Sequence, residues 1–291
     1  MKKLIVLCVC GLLLLSGCSD KYTAVSNGSE VLMQVNNKKY TKEDLYGMAQ
    51  VSNSDTFVIN EAKKVLNSGV EVTEAMKAEA ETEYATAIKD KVEADVLKAA
   101  GYETKEAYIE NLIYPTLKEK AVVKEYVRAN YDSLASTNAL KKVRIIEVKT
   151  EADGNAVIAK IKAGDSFESL IQTYNQSTTY TGAEVISTTN SGANAANILP
   201  TDVATVIASY TTPQLVENVI NDSSTSKMFV IQVTAASPGL FVEDGITFLS
   251  GLSTVTTAYY EVKFKEAGFK VYDKGIYDAI KAGNYSTYLN Q

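Results

Sequence analysis

The sequence predicts an α+β protein in which a mostly helical chain is interrupted by one small α/β module. Three observations carry that reading. From Thr73 to Ala100 the apolar residues Met76, Ala80, Tyr84, Ile88, Val92 and Val96 recur every four positions with Glu and Lys between them, the spacing of an amphipathic helix. At Lys141 the character changes, and Val143-Arg-Ile-Ile-Glu-Val148 has the β-branched density of a strand. At Pro238-Gly239 the chain breaks, and helical spacing returns beyond it. With 291 residues the chain has the length for about two domains, each with a core of its own.

The elements follow in order. Lys2 and Lys3 precede an apolar run from Leu4 to Leu15, which is shorter than the ~20 residues that span a bilayer and reads as the core of a signal peptide. The run ends in Leu15-Ser16-Gly17-Cys18, which resembles the lipobox of bacterial lipoproteins. That resemblance implies removal of residues 1–17 and lipidation of Cys18. Cys8 and Cys10 leave with the signal segment, so no disulfide or cysteine-based site remains. Residues 18–30 are small and polar and read as a tether.

Val31–Val35 and Lys39-Tyr40 flank Asn36-Asn37 as a short hairpin, and Thr41-Lys-Glu-Asp44 has the form of a capping box opening a helix. A further helix follows Ser54-Asp55. The long helix from Thr73 ends at Gly101. Thr104 caps the next, which Pro115 should kink before it ends near Tyr131. These elements make residues 31–140 a helical domain.

In the module, 141–236, the strand at Val143–Val148 leads to a turn at Asp153-Gly154 and a short helix over Ala156–Ala163. Gly164 stops that helix, and Asp165 or Ser166 caps another through Tyr174. Ala183–Ile186 is a short strand candidate, Thr201–Ser209 a helix, and Met228–Val233 a closing strand. The final segment, 237–291, predicts a Thr-rich helix over 244–266, a strand at Phe269–Tyr272, and a last helix near Ile276–Lys281.

Composition excludes more chemistry than the motifs supply. The chain has no histidine, so it can form no Ser-His-Asp or Cys-His pair, no histidine-liganded metal site and no imidazole proton shuttle. It carries 35 acidic against 29 basic residues, and losing Lys2 and Lys3 takes the formal net charge from −6 to −8. An acidic body without a basic run argues against nucleic acid and against electrostatic adhesion to anionic lipid. No metal or other cofactor is expected. Membrane contact is expected through the lipid on Cys18, with the body on the extracytoplasmic face of the cell membrane.

At this point the residues resemble a known family. A lipobox, a helical region opening with VNNKKYTKEDLY, a central α/β module and a returning C-terminal helix form the layout of PrsA-type foldase lipoproteins. The stretch AVIAKIKAGDSFESLIQTYNQ (156–176) is similar to the helix-Gly-helix stretch of parvulin-type peptidyl-prolyl isomerases. The tail EVKFKEAGFKVYDKGIYDAI resembles the family's ending. The resemblance implies a helical SurA/PrsA-like chaperone domain, formed by N-terminal helices plus a C-terminal helix, with an inserted parvulin-like domain. It also implies unfolded or exported polypeptides as partners.

Parvulin domains carry a histidine in the first strand and another in the last. Ungapped counting back from Gly164 puts the first of these places at about Ile145, and the corresponding place in the last strand falls near Phe229, both apolar here. The family's Gly-Gly after the second helix is reduced to Gly182-Ala183. The expectation is therefore a foldase or holdase-type chaperone whose module is not an efficient isomerase. The alternatives are an active isomerase without the usual histidines and a solute-binding surface lipoprotein, the latter requiring two α/β lobes.

Tyrosine supplies 18 of the aromatic residues against seven phenylalanines, and its apolar ring with a polar tip suits an adaptable peptide cleft. Tyr84, Tyr108, Tyr114 and Tyr126 are the candidates for peptide binding. Ser224-Thr-Ser-Lys227 has the S-x-x-K spacing of serine acyl-transfer enzymes but precedes a strand rather than opening a helix. Glu151-Ala-Asp153-Gly-Asn155 lacks the spacing of a calcium loop and reads as a turn.

Overall fold

A computed structural model of the chain describes residues 25–35, 38–51, 54–190 and 199–289. The signal segment, Cys18 and the Asn36-Asn37 turn lie outside the described residues. The chain divides into two compact units, one of residues 25–69 and 260–289 and one of residues 70–259.

The first elements are strands β1 (Val31–Val35) and β2 (Lys38–Thr41), followed by helices α1 (Lys42–Val51) and α2 (Ser54–Leu66). Next come α3 (Glu74–Ile88), α4 (Glu93–Ala99), α5 (Lys105–Tyr108), α6 (Tyr114–Ala129) and α7 (Tyr131–Thr137). The module holds β3 (Lys141–Val148), α8 (Glu151–Lys162), α9 (Phe167–Tyr174), β4 (Val185–Ser187), α10 (Thr201–Ala208), β5 (Gln214–Leu215), β6 (Ile220–Asn221) and β7 (Met228–Ala235). The chain finishes with α11 (Val242–Ser250), α12 (Ser253–Glu266) and α13 (Lys274–Ala282). Among the described residues no helix is long and apolar enough to cross a membrane.

In the first unit β1 and β2 pair antiparallel, and the capping box forms as its sequence requires. The Thr41 backbone N–H donates to Asp44 Oδ2 at 2.8 Å, and the Asp44 N–H donates to Thr41 Oγ1 at 3.1 Å. Residues 25–30, read as the end of the tether, form a turn whose Glu30 and Gly28 carbonyls accept from the Lys42 and Glu43 amides. The core is aromatic. Tyr260 and Tyr288 are buried, the Phe264 and Tyr288 rings stack at 4.8 Å, and Asn67 Nδ2 donates to the Tyr260 hydroxyl at 2.6 Å. The strand expected at Phe269–Tyr272 is irregular backbone that joins no sheet among the described residues. Gly268, at φ +64°, turns the chain there, and the Phe269 ring lies 4.7 Å from Phe264 instead of standing on a pleat.

In the second unit β4-β3-β7-β5 form an antiparallel sheet, with β6 also pairing to β7. The second α/β lobe that a solute-binding reading requires is not present among the described residues.

Three further element expectations are corrected. The helix expected over Thr73–Ala100 is two helices, α3 and α4, separated by a turn in which Asp90 takes φ +59°. A four-residue step overshoots the 3.6-residue turn by about 40°, so the apolar stripe has rotated away from its neighbours by Val92, which is 64% exposed. Restarting the helix turns Leu97 inward. Gly101, at φ +81°, closes α4 with paired bonds from the Gly101 amide to the Lys98 carbonyl and from Tyr102 to Leu97.

The helix expected over 244–266 is likewise two, α11 and α12, divided at Gly251, with Leu252 buried in the gap. Asp153-Gly154 is not a turn but the first turn of α8, where Thr150 Oγ1 accepts from the Asp153 amide at 3.1 Å and Glu151 and Asp153 favour a helix start. Gly154 serves packing: a Cβ there would fall 2.5 Å from Val219 Cγ2.

Before Pro115, where a kink is expected, the helix widens for one turn. A π-helical turn, Ile109–Ile113, joins α5 to α6, with the Tyr114 amide reaching back to the Ile109 carbonyl. Proline lacks an N–H and crowds the carbonyl four residues earlier. The widened turn absorbs both effects without ending the helix.

Candidate functional site

The two central strands determine what each face of the module can do. Residues 143, 145 and 147 of β3 point to one face and 146 and 148 to the other, as strand alternation requires. On the second face Ile146, Val148 and Val230 pack against Val157 and Ile158 of α8 and Phe167 and Leu170 of α9. On the first face Val143, Ile145, Phe229, Ile231 and Val233 pack against Leu199 and against Val203, Ala204 and Ile207 of α10.

The two places where the resemblance puts histidines fall on this first face. Ile145 pairs in register with Ile231, which puts Phe229 diagonally beside it. Each is 1% exposed, and both belong to one apolar cluster. The structure thus brings Ile145 and Phe229 together and packs them over with aliphatic side chains.

A polar rim borders this floor. Glu147 pairs in register with Phe229, is largely buried, and meets Lys227 Nζ through Oε1 at 3.0 Å and Oε2 at 3.1 Å. The Tyr180 ring stands edge-on to Phe229 at 6.1 Å. Burial first, then the nearby Glu147 charge, raises the Tyr180 phenol above its ordinary value.

Asn175 holds that tyrosine in place. Its Oδ1 accepts from the Glu147 amide at 3.0 Å, and its Nδ2 donates to the Tyr180 carbonyl at 2.6 Å. Gly182 follows at φ +96°, where a Cβ would fall 2.2 Å from Ile171 Cδ1. Sequence reasoning missed Glu147 and Tyr180. The signal available was the lone acid inside the Val143–Val148 strand pattern.

Ser224 and Lys227 occupy the hairpin loop between β6 and β7. Ser224 Oγ donates to Asp222, while Lys227 turns to Glu147, so each has a structural partner. Hydrogen bonds from the Thr225 hydroxyl first, then from Ser224 and the loop amides, lower the Asp222 carboxyl below its ordinary value.

The helical tyrosines lie in two places. Tyr84 and Tyr108 are buried in a cluster with Ala80, Leu97, Ile109 and Leu117, and their rings meet edge-to-face at 5.5 Å. Tyr102 adds a second edge contact to Tyr108 at 5.7 Å. The Tyr84 hydroxyl donates to Glu93 Oε1. That bond, with burial adding to it, pushes the phenol up to about 12. Tyr114 is half-buried against the same cluster. Tyr126, also half-buried, lies apart from it, its ring 5.5 Å from that of Tyr259. Open depressions of about 580 Å³ and 570 Å³ flank α4, the first reaching Leu97 and Tyr102 and the second Val92 and Val96.

Together these features define an α+β protein whose module sheet is covered on both faces by helices, with Ile145 and Phe229 sealed in the apolar cluster beneath α10. No family model matches the chain, and no curated protein matches it. Among solved structures the chain is similar to foldase protein PrsA from Streptococcus pneumoniae, at 16% identity over 89% of this chain and 100% of that one, with a TM-score of 0.46. It is similar to PrsA from Bacillus subtilis at 14% identity, over 89% and 99% of the two chains, with a TM-score of 0.39. Peptidylprolyl isomerase (PrsA) from Bacillus cereus is 18% identical over 88% and 99%, with a TM-score of 0.42.

Proposed function

We propose that the chain is a foldase or holdase-type chaperone that binds unfolded, exported polypeptides at the extracytoplasmic face of the cell membrane, held there by lipid on Cys18, and that its parvulin-like module is not an efficient prolyl isomerase. One observation supports the inactive module above the others: Ile145 and Phe229 are each 1% exposed within a single apolar cluster beneath α10. An X-Pro bond carries a barrier of ~18–20 kcal/mol, and lowering it requires polar groups placed around a twisted amide in an open cleft. Replacing two mutually bonded polar groups by apolar ones of similar size is nearly neutral for folding. Such a fold persists after its chemistry is lost.

A second reading, isomerisation without histidines, has the Glu147–Lys227 pair and the Tyr180 phenol beside Phe229 in its favour. A proline-limited refolding assay separates the two. The expected result is suppressed aggregation at stoichiometric amounts and no acceleration at catalytic amounts, and acceleration at catalytic amounts overturns the inactive reading. Lipidation is tested by labelling cells with a radioactive or clickable palmitate. The label is expected on the wild type and absent from Cys18→Ala, and equal labelling of the two overturns the anchor.

A further inference from the structure

Resting on the chaperone reading above, we propose that α4 is a built-in stand-in for client, with Leu97 occupying an apolar surface of Tyr84 and Tyr108 that an apolar segment of an unfolded polypeptide takes when α4 swings out on the Asp90 turn.

The argument begins with how little holds α4 in place. It is seven residues long, and only Leu97 is buried. Val92 is 64% exposed, and open depressions lie along both flanks. Val96 adds only a partly buried contact to the same cluster, and a seven-residue helix with so little packed surface belongs to the low-stability end of a fold. The surface beneath it has the composition of an adaptable binding site: the rings of Tyr84 and Tyr108 meet edge-to-face in the same cluster that Leu97 joins.

Two further features make the position bistable. Asp90 sits at φ +59°, a left-handed conformation costly for a residue with a Cβ. The Lys89–Val92 stretch contains neither glycine nor proline, and its apolar spacing continues from α3 into α4. The sequence therefore supports a straightened α3–α4 as well as the folded-back form. The Tyr84 hydroxyl bond to Glu93, the first residue of α4, fastens the folded-back form. Straightening would break that bond and withdraw Leu97 in one movement.

The test uses the full chain, with hydrogen exchange and the binding of fluorescently labelled, reduced and carboxymethylated α-lactalbumin measured on the same samples. Tyr84→Phe and Leu97→Ala are expected to speed exchange of the amides of residues 93–99 about tenfold, and to tighten binding about three- to tenfold. Exchange in α8 and α9 should remain unchanged, which serves as the control for global folding. Asp90→Gly, which relieves the left-handed strain, is expected to slow exchange in 93–99 and weaken binding. Faster exchange in 93–99 with unchanged affinity overturns the stand-in while leaving the chaperone reading intact. Absence of binding by the wild type and all three variants overturns the chaperone reading itself, and the inference with it.

Discussion

Installing histidine at both Ile145 and Phe229 tests whether the first face of the sheet is a vacated catalytic site or a core. Both residues are 1% exposed and lie diagonally on neighbouring strands within one apolar cluster. Removing each side chain from that cluster forfeits about 2 kcal/mol of apolar burial. Leaving an imidazole there without a partner adds about 1–3 kcal/mol. Each substitution should therefore cost about 3–5 kcal/mol, and the plain sum of about 6–10 kcal/mol is a ceiling for the pair, because two imidazoles this close can bond each other and cost less than the sum. Domain stabilities run to about 5–15 kcal/mol, so the double variant should stand near the edge of folding.

The assay is urea unfolding followed by far-ultraviolet circular dichroism, since the chain has no tryptophan to report by fluorescence. A double variant within about 1.5 kcal/mol of the wild type would refute the reasoning. It would mean that the face accommodates polar groups and that α10 does not close it.

Three further outcomes follow from the geometry. Gly245→Ala should destabilise the second unit by about 1–3 kcal/mol despite the better helix former, because the new Cβ would fall 2.3 Å from the buried Tyr131 hydroxyl, which donates to the Pro238 carbonyl; thermal unfolding measures it. The Tyr84 phenol is raised to about 12 from 10.0, so its protonated form stabilises the fold fully below pH 10 and that contribution disappears as pH climbs through 12; Tyr84→Phe should flatten the melting temperature across that window relative to wild type. The Asp222 carboxyl is lowered from 3.8, so its stabilisation is present above pH 3.8 and lost as pH falls through the lower folded value; Asp222→Ala should melt below wild type at pH 7, with the gap closing in acid.

Short-range chemistry was legible in the sequence because it is written in adjacent residues. Thr41 and Asp44, Thr104 with Ala107, Ser166 with Ser169, and the glycines at 101 and 164 all act where their spacing puts them.

What failed depended on tertiary neighbours. Gly154 signals a turn by its identity, yet it is a glycine because Val219, 65 residues later, leaves no room for a methyl group. Periodicity alone cannot show that the stripe from Met76 loses its partner at Val92. Tyr84 and Tyr108 match the composition of a cleft, but whether a tyrosine faces solvent or Leu97 depends on where α4 folds back. Glu147 was hidden for a similar reason, since its partner Lys227 is 80 residues later, in the loop that leads into β7.

The π-helical turn at Ile109–Ile113 has a consequence for how this chain tolerates insertions and deletions. One residue more than an α-helix needs is lodged there, and each residue turns a helix by about 100°. Everything in α6 beyond the turn is phased by that surplus: Val123 and Val127 point inward, and Arg128 meets Glu243 of α11 through two bonds, at 2.6 and 3.2 Å. Deleting one residue within 109–113 would yield a more regular helix, but with its far half swung about 100° out of phase. The regular helix would be the broken protein, and a second deletion or insertion downstream would be needed to bring the two halves back into step.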